Sequence, residues 1–335
     1  MKTAVGILVV LLSGGFAAPA PEAVCAVTDD RLAELSGLAA TPDGGFVTVN
    51  DGADDPAARR IFFLDGDCQV VREVRYPSEP RDTEDVALAP DGTVWVADVG
   101  DNGSVRETVG LWRLDPGADE PVPVRYTYPD GARDAEALLL DGDGTPIIVT
   151  KDPFTPGLYT VPGDDGGVLR KAGSVRIPDS QTGNPFGFAG RYVVTGGGVS
   201  PDGTRVVLRT YADAFEFLVT DGDVIKSITE GTAEAIPLPD EPQGEAITYS
   251  PDGTSLLTVS EGARPEIVRY ASVIPAPEPE PEPVANDGTE GDPAPAAAGQ
   301  RAGGLSPAGI AVVAVTGVLV FAALTFGLAR RFRRR

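Results

Sequence analysis

Five positions, Ser36, Glu84, Glu136, Thr195 and Glu245, each stand eight residues before a recurring turn glycine. Six residues after the same glycines come Asn50, Asp98, Thr150, Arg209 and Val259, with Asp51, Lys151, Asp152 and Glu261 close behind. Carboxylates and amides held at a common register are hard oxygen donors, which suit Ca2+ better than a thiophilic metal. The segment Asp98-Val99-Gly100-Asp101-Asn102 adds further oxygens. The candidate metal ligands are therefore Glu84, Glu136, Glu245, Asn50, Asp98, Asp101 and Asn102. Arg81, Arg133, Lys151 and Arg209 lie near them in sequence and are suited to neutralise carboxylates or hold an anionic ligand. A structural reading stands beside this one: each glutamate caps its strand by accepting from backbone amides, a ring without ligand. The chain contains no histidine, which excludes a Ser-His-Asp triad, a histidine-ligated zinc and a histidine general base.

The elements that must position these groups follow from the glycines themselves. Gly44, Gly92, Gly144, Gly203 and Gly253 close Pro-Asp-Gly turns or the variant Gly142-Asp143-Gly144, at steps of 48, 52, 59 and 50 residues. A short apolar run precedes each turn, such as Ala137–Leu140, and a β-branched or apolar run follows, such as Phe46–Val49 or Leu256–Val259. Two such runs joined by Asp-Gly form a hairpin. Two further strands complete each unit, for example Gly110–Asp115 with Val122–Tyr128, or Gly157–Val161 with Val168–Ile177. Four strands per unit of about 50 residues is a propeller blade. The fold class is all-β, a five-bladed β-propeller. The long step around Asp179–Arg191 is either a loop or the remnant of a sixth blade. The start of the first strand and the end of the second lie on one face, so the polar residues converge at one mouth of the central channel, opposite the Asp-Gly turns.

The last unit supplies three strands, and a segment near Val24–Thr28 is expected to supply the fourth. Cys25 and Cys68, the two cysteines of the chain, are expected to form a disulfide in an oxidising compartment. That bond staples the last blade to the first, with Cα atoms within ~7 Å.

The termini set the compartment. Residues 1–23 read as a signal peptide: a lysine, an apolar run from Ala4 to Leu12, then small residues. Residues 24–274 are the propeller ectodomain, and 275–304 a Pro/Glu-rich stalk that favours extended backbone. Residues 305–329 read as a single transmembrane helix and 330–335 as a basic cytoplasmic tail, Arg330, Arg331, Arg333, Arg334 and Arg335. The expected location is the plasma membrane, single-pass type I, with the propeller outside and monomeric. A net charge of −23 excludes a nucleic-acid surface, which needs a basic face.

The segments Asp82-Thr83-Glu84-Asp85-Val86-Ala87, Ala97-Asp98-Val99-Gly100-Asp101-Asn102, Asp134-Ala135-Glu136-Ala137-Leu138 and Gly244-Glu245-Ala246 resemble a family of bacterial secreted propellers with D-W-E-D-I-A and G-D-I-G-D-N segments. Thr83 stands where that family has Trp. More distantly the chain is similar to phytase-like and gluconolactonase-like propellers, whose acidic channel mouths bind calcium. The resemblance implies Glu84, Glu136, Glu245, Asp98 and Asn50 as calcium ligands. It does not extend to phytase activity, because the basic phosphate-gripping set is thin here.

Two functions follow as expectations: a cell-surface module whose acidic, calcium-binding mouth takes a small molecule or protein partner, or a calcium-dependent hydrolase of a phosphoester, lactone or ester. A glycosidase is a third class and needs two of Glu84, Glu136 and Glu245 at a defined separation. The topology has a direct test. Protease added to intact cells should release a soluble propeller by cutting within 275–304, and a fully protected propeller would show the opposite orientation.

Overall fold

Residues 20–53, 55–239 and 241–276 are described by the computed structural model. Strand β1 (Glu22–Ala26) precedes the first complete blade, β2 (Leu35–Ala40), β3 (Phe46–Asn50), β4 (Arg60–Leu64) and β5 (Val70–Arg75). Blade 2 contains β6 (Thr83–Leu88), β7 (Val94–Asp98), β8 (Val109–Leu114) and β9 (Val122–Thr127). Blade 3 contains β10 (Ala135–Leu140), β11 (Pro146–Thr150) and β12 (Gly157–Thr160). A two-residue strand β13 (Gly167–Val168) then leaves to pair in parallel with β9, and β14 (Arg170–Ser174) completes the blade. Blade 4 is β15 (Val194–Val199), β16 (Arg205–Thr210), β17 (Asp213–Leu218), a short helix α1 (Val224–Glu230) and β18 (Glu234–Pro237). Blade 5 is β19 (Gly244–Tyr249), β20 (Ser255–Ser260) and β21 (Glu266–Ala271), with β1 as its outer strand.

Apolar alternation along each strand feeds two different cores. In β11, Ile147 and Val149 face blade 4, while Ile148 faces blade 2. Side chains of successive strand residues point to opposite sheet faces, and here both faces are covered by neighbouring blades. The buried apolar residues accordingly fall into clusters at each blade interface: 1–2 around Val47 and Trp112, 2–3 around Trp95 and Tyr159, 3–4 around Leu139 and Phe217, 4–5 around Ile247 and Ile236, and 5–1 around Leu38 and Leu257. Inner strands are largely buried, β10 along its whole length, whereas the outer β5 and β14 are mostly exposed.

The turns have the chemistry expected of them. All five turn glycines have φ between +68° and +89°, a region that costs a residue with a Cβ. The aspartates beside them accept from the backbone amide two residues on, as Asp91 does from Thr93 at 2.9 Å. Bonds from neighbouring Ser and Thr hydroxyls together with these amides hold the carboxyls of Asp43, Asp91, Asp143 and Asp252 below the usual range, and against the desolvation of its partial burial they hold that of Asp202 at about 2. The turns are structural.

The propeller has five blades. Residues 175–193, where a sixth blade had room, form a connection with one 3-10 turn, Ala189–Arg191, and no strand. The outer strand of blade 3 is shorter than the expected Val168–Ile177, because Val168 pairs with blade 2 instead. Ring closure follows the expected route: β1 pairs antiparallel with β21, and Cys25 is bonded to Cys68 with Cα atoms 5.8 Å apart. Residues 1–19 of the expected signal peptide, the expected transmembrane helix and basic tail, and the stalk from 277 onward lie outside the described residues; Glu22 and Ala23, at the end of the expected signal peptide, pair in β1 with Arg269 and Val268. Among the described residues no helix is long and apolar enough to cross a membrane.

The chain leaves blade 5 through a clamp at the turn face. Glu216 of β17 is buried. Its Oε2 accepts from the amides of Val273 and Ile274, both at 2.9 Å, and its Oε1 accepts from Ser272 Oγ at 2.7 Å and the Tyr249 hydroxyl at 3.0 Å. Arg205, also buried, donates to the carbonyls of Gly253 at 2.7 Å and Ile274 at 3.3 Å.

Closing the seam with both a strand and a covalent bond predicts a cost for losing the bond. The double variant Cys25→Ala/Cys68→Ala should lose about 2–4 kcal/mol of unfolding free energy, read by denaturant titration. An unchanged midpoint would mean that the β1–β21 pairing alone closes the ring.

Candidate functional site

Every inner strand carries the same irregularity. The register between first and second strands slips once per blade, between Leu35 and Gly37, Thr83 and Asp85, Ala135 and Ala137, Val194 and Gly196, and Gly244 and Ala246. The residue inside each slip is Ser36, Glu84, Glu136, Thr195 or Glu245. A bulge of this kind re-aims one side chain out of the alternating pattern, and five in register set a ring of five polar residues at the channel mouth. All five are buried, none more than 3 % exposed.

The hydrogen bonds at the three glutamates come from side chains. Ser36 Oγ donates to Glu84 Oε2 at 3.3 Å, Lys151 Nζ lies 2.5 Å from Glu136 Oε1, and Glu245 Oε1 accepts from the Tyr211 hydroxyl at 3.0 Å and Gln243 Nε2 at 3.3 Å. Glu245 Oε2 is buried without a partner. The strand-capping role belongs instead to Asp85, one residue beyond Glu84. It accepts from the amides of Val86 and Leu138, each at 2.8 Å, and so ties blade 2 to blade 3.

Burial sets the proton affinities of the ring. Desolvation, then the charges of Glu136, Asp51 and Asp82, pushes Glu84 well above the carboxylate range. Desolvation raises Glu136 to about 8 despite the Lys151 ammonium, and Glu245 to about 7. Glu261, also desolvated and facing Glu245 and Asp51, is raised to about 7. Lys151 is raised as well: burial opposes its charge, but Glu136, Tyr211 and Glu245 outweigh that.

On one side of the ring Asp51, Asp82 and Glu84 each offer a carboxylate oxygen, all within 4.8 Å of one another. Asp82 is desolvated, faces Asp51, and is raised to about 7. The three come from the end of β3 and the start of β6, in adjacent blades. Gly100 makes their approach possible, because a Cβ there would press on Glu84 Oε1 and lie 2.6 Å from Asp82 Oδ2.

The other sequence candidates are placed as follows. Asp98 is fully buried and accepts from the amides of Arg81 and Asp82, from Arg106 Nη2 at 2.8 Å, from Arg125 Nη1 at 3.1 Å and from Trp112 Nε1 at 3.3 Å, all groups of blade 2. Asp101 accepts from the Arg106 amide at 2.7 Å, and Asn102 is exposed on the same loop. Asn50 donates to the carbonyls of Arg31 and Ala58, leaving its Oδ1 buried and unpartnered. Of the basic set, Lys151 alone contacts a ring glutamate. Arg81 is exposed, Arg133 pairs with Asp130 and Asp152, and Arg209 is buried between blades 4 and 5, with Nη2 2.8 Å from Glu241 and Nη1 on the Ala246 carbonyl. Sequence reasoning noted Asp51 without placing it among the ligands and did not single out Asp82, Arg106 or Tyr211. The available signal for Asp82 was its position two residues before a ring glutamate.

No protein-family model matches the chain, and no curated protein matches it in sequence. Solved structures that superpose on it include a gluconolactonase from Xanthomonas campestris, at 15% identity over 71% of this chain and 72% of that one with a TM-score of 0.41. They also include virginiamycin B lyase from Staphylococcus aureus, at 14% over 71% and 67% with a TM-score of 0.35. A third is the PQQ-bound form of an aldose sugar dehydrogenase from Streptomyces coelicolor, at 12% over 76% and 99% with a TM-score of 0.41. At these identities and scores no chemistry passes from them to this chain, and the blade count rests on its own strand pairing.

The Lys151–Glu136 pair generates a prediction. Removing either partner strands the other in a desolvated ring, so Lys151→Met should cost about 2 kcal/mol, a figure discounted for the partial exposure of the lysine. Lys151→Met/Glu136→Gln should recover most of that loss. Additive losses in the double variant would show that the two groups do not depend on each other.

Proposed function

We propose that this protein is a cell-surface, membrane-anchored β-propeller whose channel mouth holds Ca2+ between Asp51, Asp82 and Glu84 and binds a small ligand beside it. The observation that carries the reading is the convergence of three carboxylate oxygens within 4.8 Å at the bulged ring. Without a cation, such a cluster is relieved only by retaining protons, which is what the raised affinities of Asp82 and Glu84 describe. An all-oxygen donor set in a chain without histidine fits a hard cation. Ca2+ accepts irregular shells of six to eight oxygens, whereas Mg2+ demands a near-ideal octahedron. Membrane anchoring rests on the uncharged run 308–329 and the arginines after it.

A second reading, a calcium-dependent hydrolase, is favoured by Glu136 and Glu245. A bound Ca2+ would polarise a substrate oxygen and acidify a water. Glu136, at about 8, and Glu245, at about 7, exchange protons near neutral pH, as a general acid and base must. Lys151 and Tyr211 orient these two carboxyls.

Calorimetry of the propeller with and without calcium tests the cation. Calcium should raise the melting temperature by mass action on the folded state. Asp82→Asn and Glu84→Gln should each remove most of that shift. Failure of calcium to move the wild-type transition would end the cation reading.

The pH dependence has a definite sign. Asp82, Glu136, Glu245 and Glu261 keep their protons in the folded state to about pH 7–8, while unfolded carboxylates lose theirs near pH ~4. The folded state binds more protons between these limits, so cation-free stability should fall as pH rises from ~4.5 to ~8. Calcium competes with those protons, so its stabilisation should be larger at about pH 8 than at about pH 5.5. Equal shifts at both would contradict the assignment.

A further inference from the structure

The connection that replaces a sixth blade carries an unusual surface. Phe186 and Phe188 on it are 45% and 64% exposed, and Phe154, from the β11–β12 loop, is 47% exposed. Both segments lie on the mouth face, where second and fourth strands end. The rings are clustered in tilted contacts rather than scattered: the centroids of Phe154 and Phe188 lie 4.6 Å and 5.1 Å from that of Tyr192, and Phe186 lies 4.1 Å from Tyr211. The loop is braced beneath them. Thr182 Oγ1 donates to Asp213 at 2.6 Å, Arg191 Nε donates to the Thr182 carbonyl at 3.2 Å, and the Tyr192 hydroxyl donates to Asp179 at 3.2 Å. Exposed apolar rings on a fixed support at a channel mouth mark a binding surface.

Tyr211 joins this ledge to the ring of carboxylates. Its ring supports Phe186, and its hydroxyl reaches Oε1 of Glu245, whose Oε2 is buried with no partner. An acceptor left unpaired at that depth is costly, and a ligand that supplies a donor relieves the cost. An exposed aromatic ring thus meets an unsatisfied acceptor across the length of one tyrosine.

We infer that this side of the mouth is a subsite for a neutral cyclic polyol. A pyranose-like ring would lay its C–H face on Phe186 and donate a hydroxyl to Oε2 of Glu245. The inference rests on the reading of the mouth as a ligand site and names the ligand class. Other classes meet the same groups less well. A purely apolar ring leaves Oε2 unpaired. An anion enters against Glu84, Glu136, Glu245 and a net charge of −23. A quaternary ammonium stacks on the ledge but has no proton for Oε2, and it would share the ring with the Lys151 ammonium.

Saturation-transfer NMR on the full-length protein, with glucose, galactose, mannose and N-acetylglucosamine as probes, tests this against tetramethylammonium and toluene. At least one sugar should bind saturably, with transfer strongest to its ring C–H protons. Phe186→Ala and Glu245→Gln should each weaken that sugar about tenfold, roughly 1.4 kcal/mol. Phe186 is exposed, so its variant keeps the test decidable even where Glu245→Gln fails to fold. The inference is overturned if none of the four sugars binds, if tetramethylammonium or toluene binds in their place, or if sugar binding ignores Phe186→Ala. Calcium titration of the wild-type chain separates the two readings. Sugar binding without a calcium shift sinks the cation alone, and a calcium shift without sugar binding sinks the polyol alone.

Discussion

Closure of the ring is the constraint on which the remaining features depend. Five sheets can surround a channel only if the last finds the first, and here β1 completes blade 5 by pairing with β21 while Cys25–Cys68 bonds that strand to blade 1. Once closed, the inner strands β2, β6, β10, β15 and β19 have no freedom to spread. Their first residues must crowd the axis whatever their charge. A carboxylate there loses water on all sides, and neighbours from adjacent blades cannot retreat from it. The high proton affinity of Glu84, Glu136 and Glu245 is thus a product of architecture more than of local sequence.

The axis also divides labour between adjacent residues. The bulge in β6 turns Glu84 into the mouth and leaves Asp85 reaching across to β10 of the next blade. Asp85 then spends its oxygens on the amides of Val86 and Leu138, while Glu84 keeps its own for side chains. Two acidic residues in succession perform opposite tasks, one binding blades together and one facing the channel. The same separation holds for Asp98, which looks like a ligand in sequence but is saturated by Arg106, Arg125 and Trp112.

Much of the fold was legible because its signals are local. Asp-Gly turns, apolar runs on either side and a nearly constant period determine hairpins, and hairpins at that period determine blades. The closing strand followed from counting strands in the last unit, and the disulfide from a pair of cysteines in a chain read as exported. The ring positions were legible too, since a fixed offset from a turn glycine survives folding. The Asp51–Asp82–Glu84 cluster was less so: Asp82 stands two residues before a ring glutamate, but nothing local shows that the end of one blade's second strand meets the start of the next blade. Arg209 misled for the complementary reason: its register matches Asn50 and Asp98, but the space left by Gly244, which has no Cβ, draws its side chain between blades toward Glu241. The aromatic ledge was hidden inside a segment whose length suggested another blade.

The exit clamp bears on how the molecule carries load. The chain leaves the propeller after β21 at the turn face, where Glu216 and Arg205 grip residues 272–274. Tension arriving through the following segment meets this grip first, on the face opposite the mouth. It is then shared between blade 4, which supplies the gripping side chains, and the ladder of β21 with β20 and β1. Cys25–Cys68 passes the remainder to blade 1 as a covalent link. A pull applied beyond residue 276 would therefore be distributed over blades 4, 5 and 1, and would enter on the face opposite the carboxylate ring.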